Sequence, residues 1–153
     1  MQNSTYGKYQ KMQVETADKG ALLLMLYDGL ILALKKMQNV LGAETVDQGT
    51  LAEEAFRARG ILYELMGALD DKHNKELTNN LYSLYEYFLH QVGETITQSD
   101  PTLLDDVIKQ LQELREAWAT AVQDNRAEKT YGTNKATAST GEPSKRSEKT
   151  ITA

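Results

Sequence analysis

The two histidines are the residues best suited to chemistry at neutral pH, and neither has the companions that a catalytic or metal site needs. His90 follows Glu86 by four positions, whereas a di-iron bundle uses Glu-x-x-His spacing on each of two helices. His73 lies in the polar cluster 70–74, without a ligand pattern around it. The chain has no cysteine, which excludes a thiolate metal site. We therefore predict no metal ion and no cofactor.

His90 also suits a phosphotransfer bundle, which would carry an exposed histidine on a helix. No basic cluster flanks His90 to hold a phosphate, and the chain has no glycine-rich phosphate loop and no Ser/His/Asp pattern. The carboxylate pairs Asp70, Asp71 and Asp105, Asp106 fit a solvated loop and a helix start. The sequence thus argues against an enzyme, and a signalling bundle that uses His90 is a weaker alternative.

The stretch 22–34 is strongly hydrophobic and dominates the organisation of the chain. Its apolar residues cover most of a helix circumference, whereas an ordinary surface helix shows one apolar stripe. Lys19 and the pair Lys35, Lys36 bound the stretch and Asp28 interrupts it, so it does not fit a membrane span. A polar leader precedes it and no small-residue cleavage site follows, unlike a signal peptide. Such a helix either occupies the centre of a bundle or offers a second apolar face to a partner.

Apolar residues three or four positions apart predict three further helices. Each predicted helix begins at a capping residue: Asp18, Thr45 or Thr50, Asn74, and Asp100 followed by Pro101. The first helix ends near Gly42. The stripes of the other three are Leu51, Ala55, Ala58, Leu62, Leu65, Leu69 (widened by Phe56, Tyr63, Met66); Leu77, Leu81, Leu84, Phe88, Val92, Ile96; and Leu104, Val107, Leu111, Leu114, Trp118, Ala121. Short connections predict an all-α fold, an antiparallel up-down-up-down four-helix bundle.

The two ends of the chain differ from the predicted bundle domain, residues 18–124. Residues 1–17 show no clear period and form a predicted mobile leader, in which Tyr6 and Tyr9 either cover the bundle end or lie across a binding groove. Residues 125–153 are predicted to be a disordered basic tail, with six Lys or Arg against three Asp or Glu. The net charge of -5 argues against a nucleic-acid partner.

Apolar surface remains after each helix gives one stripe to a core. It predicts a groove for another amphipathic segment or, alternatively, a homodimer seam. The tyrosines of the third helix belong either to the core and its rim or to a surface that grips a partner. We predict that the first and third helices border a groove and that the leader covers it. The predicted partner-binding residues are Tyr6, Tyr9, Leu22, Leu23, Leu26, Tyr27, Leu30, Tyr82, Tyr85 and Tyr87.

Short motifs follow one another in a fixed order between residues 6 and 118. They are Tyr6-x-x-Tyr9, Val14-x-Thr16-Ala17, Leu23-x-Met25-Leu26-Tyr27-Asp28-Gly29, Ala58 with Ile61 to Leu65, Leu69-Asp70, Asn80-Leu81, Leu84-Tyr85-x-Tyr87 and Leu114-Arg115-x-Ala117-Trp118. Each is weak alone, but the ordered set resembles the flagellar secretion chaperone FliS family. Lys19 departs from the proline usual there, and the tail from residue 125 has no counterpart with a known role.

The resemblance implies an antiparallel helical bundle in the cytoplasm that binds the C-terminal segment of newly made flagellin. It also implies that the protein blocks premature filament assembly and delivers flagellin to the export gate protein FlhA. Neither membrane insertion nor nucleic-acid binding is expected. A self-associating structural bundle without a flagellin client is the alternative function.

Overall fold

The computed structural model describes the backbone of residues 18–137 and the side chains of residues 18–125. Its helices are α1 (Lys19–Leu41), α2 (Gln48–Gly67), α3 (Lys75–Gln98) and α4 (Asp105–Thr137), and a short 3-10 helix (Pro101–Leu104) joins α3 to α4. The described residues contain no strand, and the predicted all-α fold is confirmed. Within the same residues, no helix has both the length and the hydrophobicity to cross a membrane.

Side chains cap the start of each helical segment by accepting a hydrogen bond from a free backbone N–H of the first turn. The cap–donor pairs are Asp18 with Ala21 (2.7 Å), Asp47 with Thr50 (3.1 Å), Asn74 with Leu77 (3.0 Å) and Asp100 with Thr102 (2.9 Å). For α2 the cap is Asp47, which lies between the two predicted starts. Its bonds from the backbone and then the hydroxyl of Thr50 lower the pKa of the Asp47 carboxyl. The predicted capping residues of the other helices are correct.

Contacts between helices give the topology. As the chain advances from Asp28 to Gln38 along α1, its contacts on α4 recede from Arg115 to Asp105, so these helices are antiparallel. Gly29 of α1 contacts Ile61 of α2. Both residues are far along their helices from the loop that joins α1 to α2, so these two helices are antiparallel. Tyr85 contacts Tyr27, and Pro101, which follows the end of α3, contacts Gln38, so α3 runs parallel to α1. Consecutive helices therefore reverse direction, and the bundle runs up-down-up-down as predicted.

The core takes apolar residues from all four helices, and α1 lies at its centre. The α1 residues buried in it are Tyr27, Leu30, Ala33, Leu34 and Met37. The predicted stripes of the other helices supply most of the remaining core: Leu51, Ala55, Ala58, Leu62, Leu65, Leu81, Phe88, Val92, Leu104, Val107 and Leu111. Because α1 contacts three other helices, most of its apolar circumference is covered within the bundle. Only Met25 and Leu32 among its large apolar residues are exposed.

The fourth helix extends to Thr137, beyond its predicted end near residue 124. Arg, Ala, Glu and Lys at positions 126–129 favour helix, and no proline occurs until Pro143. The helix thus passes the predicted boundary of the bundle domain at residue 124, and the disorder of the tail 125–153 stays a prediction. Within the described residues, the chain divides into two units between Trp118 and Ala119.

Two glycines within helices offer a matched test of packing. A Cβ at Gly60 would have no neighbour within 4 Å, whereas a Cβ at Gly29 would lie 3.3 Å from Ile61 Cδ1. We expect Gly60→Ala to raise the free energy of unfolding by about 1 kcal/mol, since alanine favours helix. At Gly29 the displacement of Ile61 opposes the same gain. Urea unfolding of both variants measures the difference, and equal stabilisation would show that α1 and α2 are not closely packed there.

Candidate partner-binding site

Two predicted partner-binding residues, Tyr27 and Tyr85, meet in the interior of the bundle. Their hydroxyl oxygens lie 2.6 Å apart, and Trp118 Nε1 donates a hydrogen bond to the Tyr27 hydroxyl at 3.1 Å. The exposed fractions of Tyr27 and Tyr85 are 0% and 1%. These bonds join α1, α3 and α4 at one point. The cluster therefore fixes the register of three helices.

Burial raises the pKa of both tyrosines above their ordinary value. Loss of solvation is the main cause for Tyr27, and the bonds with Tyr85 and Trp118 oppose it. For Tyr85, the loss of solvation and the hydrogen bond with Tyr27 both raise the pKa. Both phenols are therefore neutral at physiological pH. Their contribution to stability is complete below the ordinary pKa of 10.0 and is lost progressively as the pH rises above it.

An ion pair lies next to this cluster at the surface of the bundle. Arg115 Nε donates to Asp28 Oδ1 at 2.9 Å, and Arg115 Nη2 donates to Asp28 Oδ2 at 3.1 Å. The hydrogen bond to Asp28, followed by the attraction between the charges, raises the pKa of Arg115. Solvent screening limits the stability gained from so exposed a pair. Its paired geometry instead selects which residue of α1 faces which residue of α4.

The structure places three predicted partner-binding residues in the core, not on a groove. Tyr27, Leu30 and Tyr85 are fully or almost fully enclosed. The physical reason is that α1 is the central helix, so the face that carries Tyr27 and Leu30 points inward. A helical wheel with apolar residues on several sides cannot show which side that is. In this conformation a partner cannot touch these three side chains.

Five predicted residues lie at or near the surface. Leu22, Leu23 and Leu26 are partly buried in the first turns of α1, while Tyr82 and Tyr87 are 45% and 40% exposed. The Tyr87 ring lies 5.9 Å from the Phe88 ring, which holds it against the core. The remaining two, Tyr6 and Tyr9, lie outside the described residues.

Other apolar side chains are exposed that the sequence did not assign to a partner. They are Met25, Leu32, Phe56, Tyr63 and Leu77. Phe56 and Tyr63 were expected to widen the buried stripe of α2, and that expectation is wrong. The i, i+7 spacing of these two residues was the available signal, because it sets them on one line outside the Leu51, Ala58, Leu65 row.

The described residues give no support for a metal site at the histidines or the carboxylate pairs. Among the described residues, no three His, Asp or Glu side chains lie close enough to hold a metal ion. Both His73 and His90 are exposed on the surface.

Comparison with known proteins decides the family. The sequence profile described as "Flagellar protein FliS" matches residues 1–125. The chain belongs to the FliS family. The resemblance carried by the sequence motifs is thereby confirmed.

Two relatives in this family come from different bacterial species. The chain is 28% identical to the flagellar secretion chaperone FliS of Bacillus subtilis, over 81% of this chain and 90% of that protein. It is 31% identical to the flagellar secretion chaperone FliSB of Pseudomonas aeruginosa, over 72% of this chain and 90% of that protein. A crystal structure of a bacterial flagellar chaperone superposes with a TM-score of 0.64 at 18% identity, covering 81% of this chain and 99% of the other. That structure supports the fold.

Several motif residues that suggested the FliS family converge on the cluster described above. Tyr27 and Asp28 come from one motif, Tyr85 from a second, and Arg115 and Trp118 from a third. Gly29, next in the first motif, lets α2 approach α1 closely at Ile61. In this FliS chain these motif residues hold three helices together. Their neighbours Met25, Tyr82 and Tyr87 are exposed.

Proposed function

We propose that this protein is a flagellar export chaperone that acts in the cytosol on newly made flagellin. It binds the C-terminal segment of flagellin, prevents premature polymerisation and delivers the subunit to the flagellar type III export apparatus through the gate protein FlhA. The match of residues 1–125 to the FliS family carries this proposal. The names of the relatives, which are flagellar secretion chaperones, support it. The function requires binding and release, with no catalysis.

Exposed apolar residues on α1 and α3 support the binding role. Met25 and Leu32 are 48% and 53% exposed on α1, and Tyr82 and Tyr87 are exposed on α3. A client segment that is disordered before binding spends about 2–5 kcal/mol of interaction energy on becoming ordered. Contacts spread over two helices would supply that energy better than one small pocket.

The positions of the two tyrosines favour an extended client. On a helix, residues five positions apart point in directions about 140° apart. Tyr82 and Tyr87 therefore lie on opposite edges of the α3 stripe that contains Phe88 and Val92, both buried. One straight client helix would contact a single edge. A segment that wraps around the bundle reaches both.

We expect Tyr82→Asp and Tyr87→Asp each to weaken binding of a flagellin C-terminal fragment by about tenfold or more, because each places a charge in an apolar contact. The matched control is Tyr63→Asp, which changes an exposed tyrosine on α2 and should leave binding unchanged. Isothermal titration calorimetry measures affinity, and circular dichroism shows that the variants remain folded.

Two outcomes of this experiment would count against different parts of the proposal. Unchanged affinity in both α3 variants would exclude these tyrosines from the binding site. No binding of any flagellin fragment by the unaltered protein would contradict the chaperone function and favour the self-associating bundle. Capture of FlhA only in the presence of the flagellin fragment would support delivery to the export gate.

A further inference from the structure

One side of α1 presents two apolar side chains with a gap between them. Met25 and Leu32 are 48% and 53% exposed. Gly29 lies four positions after Met25 and three before Leu32, so all three residues share one side of the helix. Two projecting apolar side chains therefore flank a position that has no side chain.

The neighbouring side of α2 continues this gap. A Cβ at Gly29 would lie 3.3 Å from Ile61 Cδ1, so α2 passes directly beside Gly29. Arg57 and Glu64 lie four positions before and three positions after Ile61, which places them on the side of α2 that faces α1. Gly60 is exposed next to Ile61, and a Cβ there would meet nothing within 4 Å. A glycine from each helix thus leaves open space at the centre of this surface.

Opposite charges stand at the two ends of the gap. Because α1 and α2 are antiparallel, Glu64 lies level with Met25 on the neighbouring helix. By the same geometry, Arg57 lies level with Leu32. Arg57 is 3.3 Å from the Glu54 carboxylate, yet its side chain remains 60% exposed, and Glu64 is exposed as well. Both charges are therefore accessible to a partner.

These features together fit the side of an amphipathic helix. We call the surface the α1–α2 depression; its residues are Met25, Gly29, Leu32, Arg57, Gly60 and Glu64. Its two apolar ends are separated by two helical turns, about 10 Å, which is the repeat of side chains along one face of a second helix. A large apolar side chain of that helix fits over the glycines, where a backbone is approached closely. A basic residue then faces Glu64, and an acidic residue faces Arg57.

We propose that the α1–α2 depression binds one helix of the flagellin C-terminal segment, and that this helix carries a basic, a large apolar and an acidic residue on successive turns of one face. The inference rests on the proposed chaperone function. Met25 and Leu32 are the exposed apolar residues of α1 that support flagellin binding, so the depression belongs to the same client surface. A segment that is disordered when free is able to fold into a helix in such a groove.

Enlarging Gly60 tests the proposal, because it fills the space assigned to the apolar residue of the client. Gly60→Leu should weaken binding of a flagellin C-terminal fragment by about tenfold or more, and Gly60→Ala should have a smaller effect in the same direction. Gly60→Ala should also make the fold more stable, so its weaker binding would not result from unfolding. The matched control is Ala52→Leu, at an exposed position of α2 outside the depression, which should leave the affinity unchanged. Isothermal titration calorimetry measures the affinities.

Crosslinking identifies the part of flagellin that is bound. The chain has no cysteine, so Glu64→Cys gives a single attachment point for a photoactivated crosslinker at the edge of the depression. It should capture the flagellin fragment, whereas the same label on Ala52→Cys should not. Mass spectrometry of the captured peptide should show the basic, apolar and acidic residues at spacings of three or four positions.

Charge reversal then tests the assigned contact at the other end. Arg57→Glu should weaken binding by about tenfold, and exchange of the acidic residue in the captured flagellin peptide for lysine should restore it. Circular dichroism shows whether Arg57→Glu, which lies close to the buried Glu54, remains folded. No restoration by the exchanged flagellin would contradict the assigned pairing.

The outcomes separate this proposal from the chaperone function. Unchanged affinity in Gly60→Leu, equal capture by the two cysteine variants, or a captured peptide without the expected pattern would overturn the α1–α2 depression as a flagellin site. Loss of binding in Tyr82→Asp with normal binding in Gly60→Leu would leave the chaperone function standing while removing the depression from it. No binding of any flagellin fragment by the unaltered protein would overturn both.

Discussion

Tyr85→Asp is expected to unfold the bundle and to abolish flagellin binding with it. The substitution removes an aromatic side chain that is 1% exposed, a loss of about 3–5 kcal/mol by itself. It also buries a carboxylate beside the Tyr27 hydroxyl and the Phe88 ring. Within residues 18–125, no basic side chain is paired with either tyrosine. An unpaired buried charge costs several further kcal/mol. The total is comparable with the whole stability of a domain, about 5–15 kcal/mol.

The matched variant Tyr82→Asp separates folding from binding, since it changes a tyrosine that is 45% exposed on the same helix. Its stability should remain within about 0.5 kcal/mol of the original, while its affinity for flagellin falls. Circular dichroism and the fluorescence of Trp118, the only tryptophan of the chain, report folding. A folded Tyr85→Asp protein that no longer binds flagellin would contradict this account and return Tyr85 to the binding surface.

The fold could be predicted from the sequence because the patterns that indicate it are local along the chain. Capping residues and apolar periodicity do not depend on how the helices meet, and Asp18, Asn74 and Asp100 begin their segments as predicted. The start of α2 was ambiguous because several residues between 45 and 50 are able to cap, and Asp47 accepts the decisive bonds. The end of α4 was missed because helix propensity continues beyond the last buried residue.

The sides of α1 could not be distinguished from sequence, because its neighbours lie far away along the chain. Tyr27 contacts Tyr85 and Trp118, which belong to the third and fourth helices. A helix surrounded on three sides looks the same in sequence as a helix with a vacant apolar face. The surplus apolar surface predicted for α1 is therefore largely used inside the bundle. What remains outside is smaller, and part of it lies on α2, where it was not expected.

The candidate site shows the same limit. Short motifs identified the family, but the residues that stand out in them, Tyr27, Asp28, Tyr85, Arg115 and Trp118, stabilise contacts between helices. Tyr82 and Tyr87 differ from Tyr85 only in the side of α3 from which their side chains project. Which side faces the core depends on how α3 packs against the other helices. A row of tyrosines in sequence therefore predicts an apolar contact without showing whether it is made with the chain itself or with a partner.

The hydroxyl of Tyr27 is expected to matter more to stability than the hydroxyl of Tyr85. Tyr27→Phe leaves two groups without a partner, the Trp118 indole N–H and the Tyr85 hydroxyl. Each unsatisfied group costs about 1–3 kcal/mol where it is buried. Tyr85→Phe leaves the bond between Trp118 and Tyr27 in place, so its loss should be about 1 kcal/mol.

A double-mutant cycle in urea distinguishes a shared network from two separate residues. The double variant Tyr27→Phe/Tyr85→Phe removes both hydroxyls, so only the Trp118 N–H, which lies nearer the surface, lacks its bond. Its destabilisation should therefore be smaller than the sum of the single losses by about 0.5–3 kcal/mol. Strict additivity would show that the two hydroxyls do not act together. Equal losses in the single variants would show that the Trp118 bond contributes nothing, and the register of α4 would then depend on Arg115, the hydrogen bond between Gln38 and Asp105, and the apolar core.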